Sequence, residues 1–593
     1  MIYLSGGVDK VLRVGRLVLL GIATVIGIWL IGASPRLHLS YPPQGHTTTS
    51  HRLFFIGTAP PQGNVTINGQ VIKRTPDGHF APSLPLRLGV NDFTVRYQAQ
   101  EIKVKVLRLP AQPPPPSDLG FVPDSLTPDR HQQIQVNELF CFRAIATPNR
   151  KVSVTLGDQT IALAPDPSPT LPPNSAILTA SNQPGAPITG KYQGCTRFTK
   201  AGQLGQATFR ITDGQRTVTA QSRGTVEVQS AQFAIAIVTT ENATTRTGAS
   251  SDFSRLTPQP KGVQAVITGK SGDWWRLDYG AWIANKDVEV KSSPQLPRSV
   301  VRSLQVRQAG HFSEVLIPLQ VPLPIAIHQD QDRLFLTIHN ATAQTDTIKQ
   351  PNFNDPIIAS ILWEQPDPQR VVYTIRTRTK QQWGYQVTYR GTTLVLAVRH
   401  PPQASIPPTV VIDAGHGGPE DVGAVSPTGL REKTVTLTMG QLLAQELTRR
   451  SVRVVMTRTT DVDMDLPERV AIIDRTAPTL ALSIHYNALP DHGDAENTAG
   501  IGTFWYHSQS QQVAQFLHPY LVKHLQRPDY GMYWANLAMV RPTIAPCLLL
   551  ELGFLINPTE FKWITDPQAQ RRTAQVLADG IYAWLRSAIV NNA

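Results

Sequence analysis

The stretch VVIDAGHGG, from Val410 to Gly418, opens a region in which predicted strands and helices alternate. Its first three residues are β-branched and predict a buried strand. An aspartate, a histidine and three glycines follow within six positions. A histidine after a strand is usually structural, but one with small neighbours can face a metal ion and leave room for a substrate. The stretch alone does not choose between these interpretations.

The region after Thr409 predicts an α/β domain with a mostly parallel sheet. The predicted strands are TVVID, VRVVMT, TLALSIH, GTFWYH and CLLLELGF. The predicted helices are residues 432–450, 466–475, 511–525 and 567–589. Such alternation is typical of a parallel sheet covered on both faces, with functional sites at the carboxyl ends of its strands. His416 and His485 each follow a strand end, and Glu551 lies in the last strand.

Three further motifs carry candidate chemistry: GLREK with Glu432, SIHYNA with His485 and LELGFLINP with Glu551. Each residue has an ordinary alternative. Glu432 could simply favour the dipole of its helix, His485 could be a core histidine, and Glu551 could be a paired buried acid. Two histidines and a carboxylate around an open position would instead form a catalytic zinc site.

Taken in order, DAGHGG, GLREK, SIHYNA and LELGFLINP resemble the zinc-dependent N-acetylmuramoyl-L-alanine amidases. These enzymes cleave the amide between the lactyl group of muramic acid and the L-alanine of the peptidoglycan stem peptide. The resemblance covers about residues 409–585, and WANLAMVR from Trp534 to Arg541 also fits it. It implies that His416, Glu432 and His485 bind Zn²⁺ and that Glu551 is the catalytic carboxylate.

Four other residues receive weaker assignments. We expect Asp413 to orient a ligand histidine or the glycine loop. Arg469 resembles a family arginine that holds the helix after Asp465 in place. Asn536 and Arg541 are candidate substrate contacts, with structural roles as an equal alternative.

The N-terminus and the charge indicate an exported protein. Basic residues precede the uncharged run from Leu17 to Ser34, which is typical of a signal peptide or an uncleaved anchor in the inner membrane. We expect residues 1–35 to have this role and the remainder to lie in the periplasm or cell envelope. The net charge of +12 suits a lipid surface or an acidic wall polymer. No compact basic-aromatic motif predicts a nucleic-acid partner.

Four β modules are predicted between this segment and the α/β domain. Residues 40–110 resemble an Ig-like domain, with an Asn68-Gly69 hairpin turn. Residues 118–230 predict a second β-rich domain with a Pro/Ser-rich insertion near residues 165–173. Residues 231–292, rich in tryptophan, resemble a Src-homology-3-like barrel.

Residues 298–400 predict a β-sandwich followed by the zinc amidase domain at residues 405–593. EVLIPL and RLFLTIH are echoed by RVVYTIR and TLVLAVRH, which indicates an internal duplication. Two similar meanders packed face to face would resemble the AMIN domain. Among the cysteines, Cys141 and Cys195 could pair in an oxidising compartment or remain free, and Cys547 is predicted to be a buried thiol.

The resemblance predicts a peptidoglycan hydrolase of cell-wall remodelling or daughter-cell separation. Its partners would be peptidoglycan, the membrane through the N-terminus, and divisome or envelope proteins through the β modules. The alternatives are a zinc peptidase acting on another envelope amide and a non-catalytic wall-binding scaffold or activator. The segments DHGDAENTAG and RPDYGMY are short and rich in turn formers, so we expect no plugging helix between His485 and Glu551.

Overall fold

The computed structural model describes residues 36–112, 114–179, 182–229, 234–293 and 295–590. The predicted signal or anchor at residues 17–34 lies outside these ranges. None of the helices within the ranges is long and apolar enough to cross a membrane. The described chain is mostly β up to residue 399 and α/β after it.

The first ten strands form three small sheets, ordered β2-β10-β9-β5-β6, β1-β4-β7 and β3-β8, around one apolar core. The strands are β1 (His38–Tyr41), β2 (His46–Thr48), β3 (Arg52–Phe54), β4 (Ile56–Thr58), β5 (Val65–Ile67), β6 (Gln70–Val71), β7 (His79–Phe80), β8 (Ser83–Pro85), β9 (Gly89–Tyr97) and β10 (Gln100–Arg108). The predicted Asn68-Gly69 turn is confirmed. Both residues have positive φ, as the tight connection between the antiparallel strands β5 and β6 requires.

Seventeen strands follow, of which all but four belong to one continuous sheet of thirteen. They are β11 (Gln132–Gln135), β12 (Leu139–Ile145), β13 (Lys151–Leu156), β14 (Gln159–Pro165), β15 (Pro169–Thr170), β16 (Gly185–Pro187), β17 (Lys191–Arg197), β18 (Gly202–Thr212), β19 (Thr217–Gln229), β20 (Ala234–Val238), β21 (Asn242–Ala243), β22 (Thr245–Arg246), β23 (Gln259–Pro260), β24 (Gln264–Ser271), β25 (Trp274–Leu277), β26 (Trp282–Ala284) and β27 (Val288–Ser292). Strand β11 pairs with β19 on one side and with β24 on the other, which joins the two predicted β modules edge to edge. The short pairs β15-β16 and β21-β23 stay outside this sheet.

The Pro/Ser-rich insertion is a hairpin excursion between β14 and β17. Pro165 pairs with Tyr192 at its base, and β15 pairs with β16 further out. A 3₁₀ helix, Asn174–Thr179, follows β15. Residues 166–179 and 182–190 are called the finger below. Nearby in the sheet, Cys141 and Cys195 stand opposite each other on β12 and β17 and form a disulfide.

Residues 299–399 form two four-stranded antiparallel sheets around a shared core, with a small parallel pair, β28-β33, beside them. The strands are β28 (Ser299–Val301), β29 (Gln305–Ala309), β30 (Phe312–Pro318), β31 (Ile325–Asp330), β32 (Arg333–His339), β33 (Ala341–Ala343), β34 (Ile358–Asp367), β35 (Arg370–Thr377), β36 (Tyr385–Arg390) and β37 (Thr393–Arg399). The predicted meanders do not each form a sheet. The sheet orders β29-β30-β37-β36 and β31-β32-β35-β34 combine one hairpin from each half, so the most apolar strands pair at the centre.

The C-terminal domain has a six-stranded sheet ordered β39-β38-β40-β43-β41-β42. Its strands are β38 (Thr409–Ala414), β39 (Arg453–Met456), β40 (Leu480–Asn487), β41 (Ile501–Trp505), β42 (Asp529–Trp534) and β43 (Cys547–Phe554). Its helices are α1 (Glu432–Arg449), α2 (Leu466–Thr476), α3 (Ser508–Leu525), α4 (Pro558–Thr565) and α5 (Pro567–Val590). Strand β41 is antiparallel to β43, so the sheet is mixed rather than fully parallel. The start of β41 therefore lies beside the end of β43.

Period-two alternation sorts the residues of the central strands between the two faces of this sheet. Leu548, Leu550 and Leu552 of β43 join the core formed with α1, α3 and α5. The intervening Cys547 and Leu549 belong to apolar clusters on the opposite face. Glu551 continues this second set, and so does His485 opposite it on β40.

Strand β42 and helix α4 of the C-terminal domain were not predicted from the sequence. The segment RPDYGMY, expected to be turn-like, contains the edge strand β42, because pairing with β41 overrides the low β propensity of its aspartate and glycine. Helix α4 follows the last strand, with Asn557 as its N-cap and Pro558 at its first position. Both elements border the end of the sheet where His485 and Glu551 lie.

Candidate functional site

His416 lies in a loop that the backbone holds tightly. It adopts φ 60°, which a non-glycine residue rarely does, directly after β38. Arg469 donates to the main-chain oxygens of Ala414 and His416, at 2.9 and 2.8 Å. Asp421 contacts Nδ1 of His416 at 2.5 Å, which leaves Nε2 to face Glu432 at 3.2 Å. The ring is thus oriented from one side and presents one nitrogen to the site.

The glycines around His416 provide room for neighbouring side chains. A Cβ atom built on Gly415 would lie 2.3 Å from Cε1 of His485. A Cβ on Gly423 would lie 2.6 Å both from Oε2 of Glu432 and from Cδ2 of His416, and Gly423 also has positive φ. The absence of side chains here lets both imidazoles and the carboxylate approach one another.

Glu432 stands at the first position of α1 and is buried. Its Oε2 accepts from the backbone N–H of Ala424 at 2.8 Å, and its Oε1 accepts from that of Tyr486 at 2.9 Å. Oε1 also lies 3.0 Å from Nδ1 of His485. Burial opposes ionisation, but hydrogen bonds with His416 and His485 hold the pKa of Glu432 well below its usual range.

One ligand atom from each of His416, Glu432 and His485 lies within 4.8 Å of the others. The rings of the two histidines meet edge to face, with centroids 4.9 Å apart. Burial lowers the pKa of His485, but the hydrogen bond and charge of Glu432 outweigh it and raise the pKa to about 9. The structure therefore brings the three predicted ligands together, and two imidazoles with a carboxylate are a donor set that suits zinc.

Asp413 and Arg469 form an ion pair that holds the backbone of the loop carrying His416. Both are buried, and Oδ1 of Asp413 accepts from Nη1 of Arg469 at 2.8 Å. Ser483 and Thr457 donate to the same carboxylate. Arg469 also reaches the carbonyl of Met464, just before the N-cap Asp465 of α2. The Asp413–Arg469 pair thus connects the glycine-rich loop around His416 with the start of α2.

Glu551 lies opposite His485 in the paired strands β43 and β40. Its Oε2 is buried and has no hydrogen-bond partner among the described residues. Burial raises the pKa of Glu551 to about 8, with Glu432 adding to the shift and the histidines opposing it. Burying a carboxylate oxygen without a hydrogen-bond partner is costly, and a pKa near neutrality is the range that suits a residue exchanging protons.

Asn536 and Arg541 lie against another part of the chain. The amide of Asn536 donates to the main-chain oxygen of Arg255 at 3.0 Å. The guanidinium of Arg541 donates to the main-chain oxygen of Leu256 and stacks over the ring of Tyr506, 4.3 Å from its centroid. Their contacts in the structure thus join the C-terminal domain to residues 255–256, and a substrate contact remains a prediction.

Two residues near the site were missed by reasoning from the sequence. Asp421 lies in an irregular loop, so no strand or helix periodicity in the sequence indicates that it contacts His416. Tyr530 lies beside Glu551 across Gly502, because a Cβ on Gly502 would be 3.2 Å from the Tyr530 ring and 3.5 Å from Cβ of Glu551. The only available signal was the density of aromatic residues between Tyr530 and Trp534.

A converging His/Glu/His group beside an acid, at the carboxyl ends of central strands of an α/β sheet, is typical of metal-assisted hydrolases. Known proteins that match the chain indicate which kind of hydrolase its C-terminal domain resembles. Residues 410–583 match the family model described as N-acetylmuramoyl-L-alanine amidase. This match confirms the resemblance of this part of the chain to N-acetylmuramoyl-L-alanine amidases.

Individual relatives each match about 30% of the chain. "Probable cell wall amidase LytH" of Staphylococcus epidermidis is 32% identical over 181 residues, which are 30% of this chain and 59% of that protein. Its Staphylococcus aureus namesake is 34% identical over 175 residues, which are 29% of this chain and 57% of that protein. The solved catalytic domain of CwlV, an N-acetylmuramoyl-L-alanine amidase from Bacillus (Paenibacillus) polymyxa var. colistinus, is 34% identical. The match covers 30% of this chain and 98% of that one, with a TM-score of 0.29.

The chain therefore spans less than three fifths of the length of these curated relatives. The family match begins at residue 410 and does not extend into the preceding β region.

Proposed function

We propose that this protein is a zinc-dependent N-acetylmuramoyl-L-alanine amidase that hydrolyses the amide between the muramic acid lactyl group and L-alanine in peptidoglycan. The observation that carries the proposal is the convergence of His416, Glu432 and His485 beside Glu551. The match of residues 410–583 to the amidase family model supports the choice of substrate class.

The donor chemistry fits zinc. Each of the three ligand residues offers one ligand atom, and hydrogen bonds with the backbone and with the acceptor Asp421 already orient two of them. Three protein ligands leave a fourth position open, as catalytic zinc sites do. When bound, zinc supplies polarisation of a carbonyl oxygen and acidification of water.

Glu551 supplies the proton transfers in this proposal. Its Oε2, which has no hydrogen-bond partner among the described residues, can accept a proton from the water whose oxygen attacks the amide carbon. When the carbon–nitrogen bond breaks, Glu551 returns this proton to the departing amine nitrogen of L-alanine. One water is consumed, and the products are the lactyl carboxylate and a free amino group. Glu551 thus ends the cycle in its starting state.

We also propose the setting in which this reaction takes place. The chain would be exported to the periplasm or cell envelope and anchored in the inner membrane by residues 17–34. Residues 40–110, 118–230, 231–292 and 298–400 would act as Ig-like, β-rich, Src-homology-3-like and AMIN-like modules that hold the zinc amidase domain, residues 405–593, at the wall. Contacts with divisome or envelope proteins through these modules would link the enzyme to wall remodelling or daughter-cell separation.

The test is digestion of purified sacculi by the full chain, with and without zinc. Mass spectrometry of the soluble products identifies the bond that is cleaved. Zinc-dependent release of intact stem peptides with a free L-alanine amino terminus is expected. Shorter peptides would indicate a zinc peptidase, and no release at full zinc loading would indicate a non-catalytic wall-binding protein.

A further inference from the structure

The tip of the finger, at Leu178, contacts the C-terminal domain beside Glu551. The hydroxyl of Tyr530 donates to the main-chain oxygen of Leu178 at 2.7 Å. Tyr530 is the residue that neighbours Glu551 across Gly502. Sequence separation between the two bonded residues is 352 positions, so this contact connects the second β-rich region directly to the edge of the site.

The surface on which the finger lies is aromatic. Phe504 and Tyr533 stack with centroids 5.1 Å apart, and Tyr530 lies 5.7 Å from Tyr533. The side chain of Leu178 packs against the cluster of Phe504, Val540 and Leu549. Leu549 precedes Glu551 by two residues on β43, so both side chains lie on the same face of the sheet. The aromatic surface is therefore continuous with the candidate catalytic carboxylate.

The group that Tyr530 binds in the finger is a peptide carbonyl. A stem peptide brought to Glu551 would present carbonyls of the same kind, and apolar surfaces with a few placed donors are typical of ligand sites. We propose that the finger tip and the stem peptide are alternative occupants of this surface, so that the finger restrains the enzyme until substrate or a partner displaces it. This inference rests on the proposed function, because it takes the stem peptide as ligand.

The finger is built so that it can leave without disturbing the sheet that carries it. At its base, the main-chain N–H of Asp166 donates to the oxygen of Lys191 at 2.8 Å, and their side chains form an ion pair. All three residues of β16 are exposed. The pairing of Pro165 with Tyr192 joins β14 and β17 at the base of the finger, away from the tip.

The N-terminal β unit docks on the same end of the sheet in a different manner. Phe54 and Ile56 are buried together with Phe554 and Ile556. Ion pairs Lys73–Glu496 and Lys562–Asp77 lie at this contact, and His46 meets Asp491 at 3.0 Å. By contrast, the finger meets this end of the sheet at its tip residue Leu178, and in the proposal it is the finger that a ligand displaces.

The experiment measures binding and hydrolysis of N-acetylmuramoyl-L-alanyl-D-isoglutamine by the zinc-loaded full chain. Leu178→Asp removes the apolar contact of the tip. Ile177→Asp is the matched control, because Ile177 is the adjacent residue and its own side chain is 56% exposed. A second variant replaces residues 167–190 with Asn-Gly, which can close β14 and β17 as a two-residue hairpin. Binding is measured by calorimetry in a Glu551→Gln background, and hydrolysis in the Glu551 chain.

We expect Leu178→Asp and the shortened hairpin to bind the glycopeptide about tenfold more tightly than the parent, with Ile177→Asp unchanged. The value of kcat/KM should rise by a similar factor. Equal affinity in the parent, Leu178→Asp and the shortened hairpin would overturn the inference. Tighter binding without hydrolysis in any chain would support the competition and refute the proposed reaction, so the two failures are distinguishable.

Discussion

The two sides of the candidate site are organised in opposite ways. On the ligand side, a hydrogen bond from His416 to Asp421 and those from the backbone N–H groups of Ala424 and Tyr486 to Glu432 fix two ligands before any substrate arrives. On the other side, Glu551 keeps one buried oxygen without a partner among the described residues. The first arrangement fixes the positions of the ligand atoms, and the second leaves the carboxyl group of Glu551 able to exchange a proton. The difference predicts that changes on the ligand side act on metal affinity and changes on the Glu551 side act on turnover.

The largest effect is expected from removing a ligand. His416→Ala or His485→Ala should weaken zinc binding by more than about 100-fold, because three protein donors become two. Turnover should be lost with the metal. His524→Ala is the matched control, because His524 is an exposed residue near the end of α3. Competition with a chromophoric chelator measures the affinity, and unchanged zinc binding by either ligand variant would remove that residue from the assigned site.

Gly415→Ala tests how tightly the ligand side is packed. The new Cβ would lie 2.3 Å from Cε1 of His485, so the imidazole must move. We expect zinc affinity to fall about 10- to 100-fold, as it does when ligand orientation is disturbed. The same chelator assay, with circular dichroism to confirm folding, measures the effect. A folded variant with parental affinity would show that the position of His485 is not restricted by this contact.

Asp421→Asn keeps the shape of the side chain but removes the charge that faces Nδ1 of His416. We expect zinc affinity to fall about tenfold, because a carboxylate partner orients a ligand histidine and increases its basicity. Asp463→Asn in the same region serves as a control, since Asp463 contacts the backbone of Glu420 rather than a ligand side chain. Equal effects of the two substitutions would refute a specific role for Asp421.

Gly502→Ala is the counterpart of Gly415→Ala on the Glu551 side. Its Cβ would lie 3.2 to 3.5 Å from Tyr530, Phe504 and Glu551, so small shifts can accommodate it. We expect kcat to fall about two- to fivefold with zinc affinity unchanged, because slight overpacking moves side chains without removing a ligand. Steady-state kinetics and the chelator assay together give both values. A loss of zinc affinity would contradict the division of the site into two sides.

Much of the C-terminal domain could be predicted from local patterns. The apolar runs of β38, β40 and β43 are long and bounded by turn signals, and four of the five helices were predicted to within three residues at each end. Period-two alternation within these strands also accounts for the placement of His485 and Glu551 on one face. The three metal-ligand candidates came from motif resemblance, and the structure brings them together.

Long-range contacts could not be predicted in this way. Trp383, from the segment between β35 and β36, is buried in the core of the C-terminal domain with its ring centroid 5.6 Å from that of Trp584. Nothing in the sequence around Trp383 signals this partner, because the contact depends on how two separately folded sheets meet. The contacts of Leu178 with Tyr530 and of Asp421 with His416 could not be predicted either, because no local pattern indicates them. Strand β42 was missed because its pairing with β41 outweighs its own composition.

The central claim is that Glu551 acts on protons and does not bind the metal, and Glu551→Gln tests it most directly. Zinc affinity and turnover on purified sacculi are measured on the same preparation of the full chain. We expect zinc affinity equal to that of the parent and a fall in turnover of about 10²- to 10⁴-fold, the range for loss of a general acid–base. Turnover near the parental value would contradict the assigned role, and loss of zinc together with turnover would place Glu551 among the ligands.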